Sequence, residues 1–441
     1  MARASVEVSA GQDAGPYQRL QQRLDRMPTG APDTPAFQRI LRLLFSEEEA
    51  ALAARLPSLV AVDRLARDLG RDPGQLHATL SSMAARGLVL DLEHRGERWV
   101  ALAPVVIGFF EFTFMRVSDD APMDELAELF DDYLFTDDEH RFAHAVFAGS
   151  VQVGRAMVRE EALPSEPPTE VLAWERATRV VADASTVAVS PCPCRTHAGL
   201  LGRACDAPVR TCLSFDGAAE ALVRAGLAER ISTAEGLQIL TAAKAAGLAQ
   251  TADNVKERVG YLCNCCGCCC GMMQAIREAG LHDAIVPSSW VARIDADRCR
   301  GCRDGCLTAC PAEVIERRDR TDGGRWPYEA VLDADRCLGC GVCVESCRFD
   351  ALEMVPRERR PFTPDTTLDR MIAMAVERGK LGDLLLDTLD GAGAVAVARL
   401  LQHLERSSLG TALRAIDPLR SVFLRGLLGA VHRGATLVGA P

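Results

Sequence analysis

The sequence predicts an α+β chain of several domains, and three patterns carry that expectation. Helical periodicity followed by a hairpin pattern occupies residues 35–103. Mixed strand and helix patterns over residues 169–290 enclose ten cysteines, and residues 291–357 hold eight more at tight spacings. A helical pattern fills residues 358–441. A chain of 441 residues has room for about two to four domains.

Residues 1–34 are rich in Gly, Pro, Asp and Gln and are expected to be partly disordered. Phe37, Ile40, Leu41 and Leu44 then mark one face of a helix over 35–45. Ser46 and Glu49 form a capping-box pattern for the next helix. A short helix is expected over 62–69, and Asp72-Pro73 starts another that stops at Gly87. Two strand patterns, 88–92 and 98–102, flank the turn His94-Arg-Gly-Glu97. This order of helices and hairpin resembles a winged helix. Its nine basic and nine acidic residues leave no basic footprint, so a docking role is favoured over DNA binding.

Residues 104–168 read as a helical connector. Its segment 105–115 holds Phe109, Phe110, Phe112 and Phe114, too short to span a bilayer and suited to a buried core or a subunit contact. Helices are expected near 123–135 and 138–159, then at 171–184, before a strand over 186–190.

That strand delivers Cys192-Pro-Cys194-Arg195, followed by Cys205 and Cys212. Helices are expected over 216–225 and from the Ser232/Glu235 capping pattern to Gly247, then a strand at 248–251. Next comes the densest run, Cys263-Asn-Cys265-Cys266-Gly-Cys268-Cys269-Cys270-Gly271. Six thiols in eight positions have no packing rationale and would oxidise if left free. They point to metal. Cys263, Cys266 and Cys269 share the C-x-x-C-x-x-C spacing of Cys337, Cys340 and Cys343, and Cys265-x-x-Cys268 overlaps it. Adjacent pairs such as Cys265 and Cys266 are expected to serve different centres. At least one further [4Fe–4S] cluster, and two by preference, is expected in this region, with Cys192, Cys194, Cys205 and Cys212 sharing ligation. The alternatives are a zinc site on Cys192, Cys194, Cys205 and Cys212, or a dithiol/disulfide pair within the dense run.

The last cysteines form two runs. One is Cys299-x-x-Cys302-x-x-x-Cys306-x-x-x-Cys310-Pro311, and the other is Cys337-x-x-Cys340-x-x-Cys343-x-x-x-Cys347. Short spacings on a tight loop bring several thiolates to one iron–sulfur cubane, whereas a zinc ribbon needs only four thiolates in all. Gly301, Gly305, Gly339 and Gly341 supply the tight turns. Residues 294–355 closely resemble the bacterial two-[4Fe–4S] ferredoxin module. The resemblance implies that Cys299, Cys302, Cys306 and Cys347 hold one cluster, and that Cys337, Cys340, Cys343 and Cys310 hold the other. Two features depart from the bacterial pattern. Three residues, not two, separate Cys302 from Cys306, and Arg348 stands where proline is common. The extra residue is expected to bend the loop and to retune or destabilise that cluster. Over residues 186–355 the chain also resembles multi-cluster ferredoxin-like proteins of bacteria and archaea, through its CxCR, CL and CNCCxCCCG segments. That likeness implies electron transfer and leaves the pathway open.

Arg195, Arg300, Arg303 and Arg348 adjoin ligands and are expected to tune potentials or dock a partner. His197, Asp206 and His282 read as solvated loop residues. The tail interleaves Arg399, Arg406, Arg414, Arg420, Arg425 and Arg433 with apolar residues. Its helices suit packing on the protein or a partner subunit, with a membrane surface as the alternative.

A net charge of −11 argues against a mainly nucleic-acid-binding role and suits a basic docking partner. No secretory leader, twin-arginine address or apolar span is read, so a reducing cytoplasm is expected. No G-x-G-x-x-G fingerprint follows a clear strand. These readings converge on an iron–sulfur electron-transfer protein with a redox partner. A redox-sensing transcription regulator and a thiol/disulfide reductase subunit are the alternatives.

Overall fold

The computed structural model describes residues 14–117, 121–136, 141–147, 149–167, 172–321, 324–388, 398–403, 405 and 407. Within the stretch expected to be partly disordered, residues 16–25 form helix α1 (Pro16–Asp25). Leu20 and Leu24, one turn apart, are fully buried, and the buried Arg23 donates to the Leu56 carbonyl at 2.8 Å. Polar composition hid a helix whose few apolar side chains all face the core.

Next come α2 (Pro35–Leu44), whose N-cap Thr34 accepts the Phe37 N–H, and α3 (Glu47–Ala53), which carries the full Ser46/Glu49 capping box. β1 (Val60–Ala61) leads to α4 (Val62–Leu69), closed by Gly70 at φ +61°. α5 (Pro73–Ala85) starts where Asp72 accepts the Gln75 N–H. β2 (Val89–His94) and β3 (Glu97–Leu102) turn through Arg95 and Gly96, both at positive φ, as a two-residue hairpin requires. The three strands form an antiparallel sheet in the order β1-β3-β2.

The phenylalanine-rich segment ends in α6 (Phe110–Met115) and is buried within the chain, Phe109 and Phe114 completely. α7 (Met123–Asp131) and α8 (Arg141–Phe147) follow. The helix expected over 138–159 stops at Phe147. Gly149 has φ +112°, which no α-helix contains, and the chain then runs extended into β4 (Gly154–Ala156).

The central region contains α9 (Ala177–Asp183), β5 (Val187–Pro191), α10 (Pro193–Leu200), β6 (Arg210–Phe215), α11 (Asp216–Arg224) and β7 (Glu229–Ile231). α12 (Thr233–Ala245), β8 (Ala249–Asp253), β9 (Tyr261–Cys265) and α13 (Gly271–Arg277) complete it. Ser232 caps α12 through the Glu235 N–H, but Glu235 turns to Arg210 at 3.0 Å instead of closing the box. Six strands form one antiparallel sheet in the order β4-β8-β9-β6-β5-β7. Val187, Val189, Leu213, Phe215 and Leu262 share a core with residues of α9 and α12. By the strand period of two, Ser190, Cys212, Cys263 and Cys265 lie on the opposite face.

β10 (Trp290–Ile294) pairs with β13 (Leu352–Pro356), and β11 (Ile315–Asp319) pairs with β12 (Tyr328–Leu332). Between them, α14 (Cys306–Ala309) and α15 (Val342–Glu345) each begin inside a cysteine run. α16 (Thr367–Arg378) and α17 (Leu381–Thr388) pack on the chain itself. Arg378 reaches the Pro28 and Val146 carbonyls, and Asp387 pairs with Arg23 at 3.0 Å. The rest of the arginine-bearing tail beyond Ser407 lies outside the described residues. One continuous apolar core runs from Leu20 through the aromatic connector and the thiols to Met354.

Replacing Leu20 with alanine should cost about 2–5 kcal/mol, because a buried leucine leaves a cavity when truncated. Denaturant unfolding of the anaerobic holoprotein measures this, and an unshifted midpoint would show that α1 is not part of the core.

Candidate metal centres

In the module, each cysteine run starts on a loop, passes through a short helix and ends just beyond it. Cys310, Cys337, Cys340 and Cys343 line a single apolar cavity with Ala292, Val314, Ile315 and Leu332. Burial pushes the Cys340 thiol up to about 12. The second set, Cys299, Cys302, Cys306 and Cys347, also converges. Burial and then the Cys302, Cys347 and Cys299 thiols push Cys306 up to about 12. Protons held this firmly yield only to a cation that replaces them.

Backbone amides already point at the sulfurs. The Ala330 N–H donates to Cys299 Sγ at 3.3 Å, Gly339 to Cys337 at 3.4 Å, and Ala351 to Cys347 at 3.4 Å. Such donors stabilise anionic sulfur and raise a cluster's potential. Gly339 has φ +70°, and a Cβ there would lie 2.0 Å from the Trp290 carbonyl oxygen. The donor set and the crowded loops fit iron–sulfur clusters. The two departures from the bacterial pattern meet: Arg348 forms an ion pair with Asp304, inside the lengthened loop. Arg300 lies over the Phe349 ring at 4.2 Å. His282 accepts from Arg336 at 3.0 Å.

The family model of the 4Fe-4S dicluster domain matches residues 298–351. No curated protein and no solved structure matches the chain. Residues 298–351 are a ferredoxin-like 4Fe–4S module, and the chain has an iron–sulfur electron-transfer role.

The ten remaining thiols divide into two groups. Six of them, Cys192, Cys194, Cys212, Cys263, Cys265 and Cys270, form a continuous network. Each lies near enough to the next to shift its protonation, in the order Cys192, Cys194, Cys270, Cys265, Cys263 and Cys212. They come from β6, β9, the N-cap and first turn of α10 and the N-cap of α13. Hydrogen bonds from Cys263 and Cys270 hold the buried Cys265 thiol well below its usual range. The other four, Cys205, Cys266, Cys268 and Cys269, gather with all Sγ atoms within 4.8 Å of one another. Against burial, the Ala207 N–H and the Cys268, Cys266 and Cys269 thiols bring Cys205 down to about 7.

This partition corrects two expectations. The Cys263-x-x-Cys266-x-x-Cys269 spacing does not collect on one site, because Cys263 sits on a strand while residues 267–269 form a turn beyond it. A zinc site on Cys192, Cys194, Cys205 and Cys212 is also broken up, since Cys205 joins the turn. Cys265 and Cys266 do fall into different groups.

Arg195 stands between the groups. It is 1% exposed and donates to the Pro208 carbonyl, Thr211 Oγ1 and the Asn264 carbonyl at 2.9, 3.1 and 2.7 Å. Burial disfavours its charge, yet Cys192, Cys266, Cys265 and Cys205 outweigh that and raise its pKa. Its buried Nε–H has no protein partner, which suits an acceptor such as cluster sulfide. His197 is not a solvated loop residue. It is buried against Phe110 and Phe114, and its Nε2 lies 2.9 Å from the Ala127 carbonyl oxygen.

Replacing Gly339 with alanine should remove about four irons per chain, the content of one cubane, by driving the loop away from Trp290. Iron and sulfide quantitation checks this, and full iron content would show that the loop can yield.

Proposed function

We propose that this protein is a multi-cluster iron–sulfur carrier that passes single electrons to a partner redox enzyme. The observation that carries the reading is a run of six further thiols, five of them packed in the core that also contains seven of the module's eight cysteines. Cys192, Cys194, Cys212, Cys263, Cys265 and Cys270 supply more thiolates than one zinc ion can take, and they suit a third iron–sulfur centre. When bound, the clusters supply one-electron storage at sulfur-ligated iron. The chain's own residues hold the sulfurs, direct N–H groups at them and exclude water. Arg195 offsets the thiolate charge on the sheet side, and Arg159 does so beside Cys340.

The helices and hairpin of residues 35–103, read as winged-helix-like, serve docking in this proposal. Gln75, Ala78, Ser81 and Ser82 form the exposed face of α5, without lysine or arginine, so DNA phosphates find no counter-charge there. A regulator that binds DNA through this helix is therefore the weaker reading. Among the described residues no helix is long and apolar enough to cross a membrane.

Anaerobically purified protein should contain about 12 sulfides per chain, and its dithionite-reduced EPR spectrum should show interacting [4Fe–4S] signals. About eight sulfides would confine the clusters to the module. Arg195→Gln should lower the potential of the third centre by on the order of 60 mV, the one-electron equivalent of about 1.4 kcal/mol, and Arg195→Lys by less. An unshifted redox titration in both variants would remove the tuning role.

A further inference from the structure

We propose that Cys205, Cys266, Cys268 and Cys269 hold one tetrahedral metal ion, zinc or mononuclear iron, separate from every iron–sulfur cluster. The proposal goes beyond the electron-carrier reading and does not depend on it.

Sulfur spacing decides between one ion and a cubane. A metal–sulfur bond of about 2.3 Å in a tetrahedron places the sulfurs about 3.8 Å apart. Cys268 and Cys269 Sγ lie 3.7 Å apart, and Cys269 and Cys205 Sγ 3.8 Å apart. A cubane presents four irons at separate corners and spreads its ligands wider. The module's two sets of four do not gather as tightly as these. Among the described residues, no other set of three or more Cys, His, Asp or Glu ligand atoms gathers this tightly.

The local chain is built for such a site. Residues 266–269 turn sharply after β9, and the Cys269 N–H donates to Cys266 Sγ at 3.4 Å. Cys205 arrives from the loop between α10 and β6, so the ion would tie that loop to the turn. Four thiolates fill all four tetrahedral positions, which makes the site structural and leaves no open position for substrate. Its place in the fold gives it a task. A Cβ on Gly267 would meet the Pro311 carbonyl oxygen at 2.9 Å, and Arg277 joins the Gly267 carbonyl at 2.6 Å to Glu313 at 2.7 Å. The turn therefore abuts the module next to Cys310, and the ion would hold the sheet and module in register. Cys268 is exposed, so the ion sits where exchange from solvent is open.

The test uses the full chain purified anaerobically, with elemental analysis and acid-labile sulfide measured together. One ion per chain is expected beyond the iron that sulfide accounts for. Excess zinc identifies a zinc site, and excess iron a mononuclear iron site. Exchange with Co²⁺ should give the visible absorption of tetrahedral cobalt thiolate. Cys205→Ser and Cys268→Ser should each lose that ion, with sulfide content and the reduced EPR spectrum unchanged. Loss of about four irons and four sulfides in Cys205→Ser would assign these thiols to a cubane and overturn the proposal. So would wild-type protein with no excess ion and no cobalt–thiolate band, a result that needs no variant to fold. Sulfide content judges the electron-carrier reading and the excess ion judges this one, so either can fail alone.

Discussion

Anionic sulfur inside an apolar core is the constraint on which the rest of this structure depends. A buried thiolate without a cation or hydrogen bonds is costly, and burial accordingly raises the thiols of Cys306, Cys340 and Cys343. The chain answers with three kinds of positive partner. Backbone N–H groups at Gly339, Ala330 and Ala351 reach sulfur directly. Arg195 and Arg159 place guanidinium groups where side chains of either charge are rare. Metal completes the balance, and a fold centred on eighteen thiols is expected to lose cohesion without it.

Strand alternation then decides which sulfurs can meet. On β6 and β9, Leu213, Phe215 and Leu262 face α9 and α12, and Cys212, Cys263 and Cys265 take the other side. Thr251 on β8, paired with Cys263, donates to Cys265 Sγ at 3.5 Å. Asn264, between the two cysteines, turns away to Gln250 and to the Thr211 carbonyl. A single-residue slip of β9 would exchange these roles and bury an amide where a thiolate belongs. Sheet pairing thereby fixes which thiols meet.

Legibility followed the range of the interactions. The module's cysteines are close in sequence and their two runs are similarly spaced, so the resemblance could suggest two sets of four, and the structure does bring Cys310 to Cys337, Cys340 and Cys343. Helix starts at Ser46 and Asp72 are local in the same sense, and they stand in the structure as read. The partition of the central thiols was not legible. Cys205 meets Cys269 across 64 positions, and no periodicity within the dense run reports that partner. Residues 16–25 misled for the opposite reason: their composition is polar although Leu20 and Leu24 are buried, and the partners that cover them are distant. The Arg348–Asp304 pair was hidden likewise, since it joins two anomalies 44 positions apart.

Fixed spacing between the module and the central thiols follows from how the module is attached. Electron transfer falls steeply with distance, so a carrier with several centres gains from rigid placement. A ferredoxin on a flexible linker would leave that distance to chance. Here Arg159, buried beside β4, pairs with Glu345 on α15 and donates to the Lys244 and Leu248 carbonyls at 3.0 and 2.9 Å. Its own N–H reaches the Cys340 carbonyl at 3.1 Å. Gly341 has no room for a side chain against Ala162, so the cysteine loop is pressed onto the same segment. On the other side, Gly267 meets Pro311, and Arg277 spans to Glu313. Two separate contacts flank the ligand loops, one at Cys340 and one at Cys310, and both residues line the same cavity. A hinge would have to break both at once, and each includes a buried or half-buried arginine whose loss of partners is costly. The interface therefore behaves as a continuation of the core, and the distance between the thiol network and the module is a property of the fold.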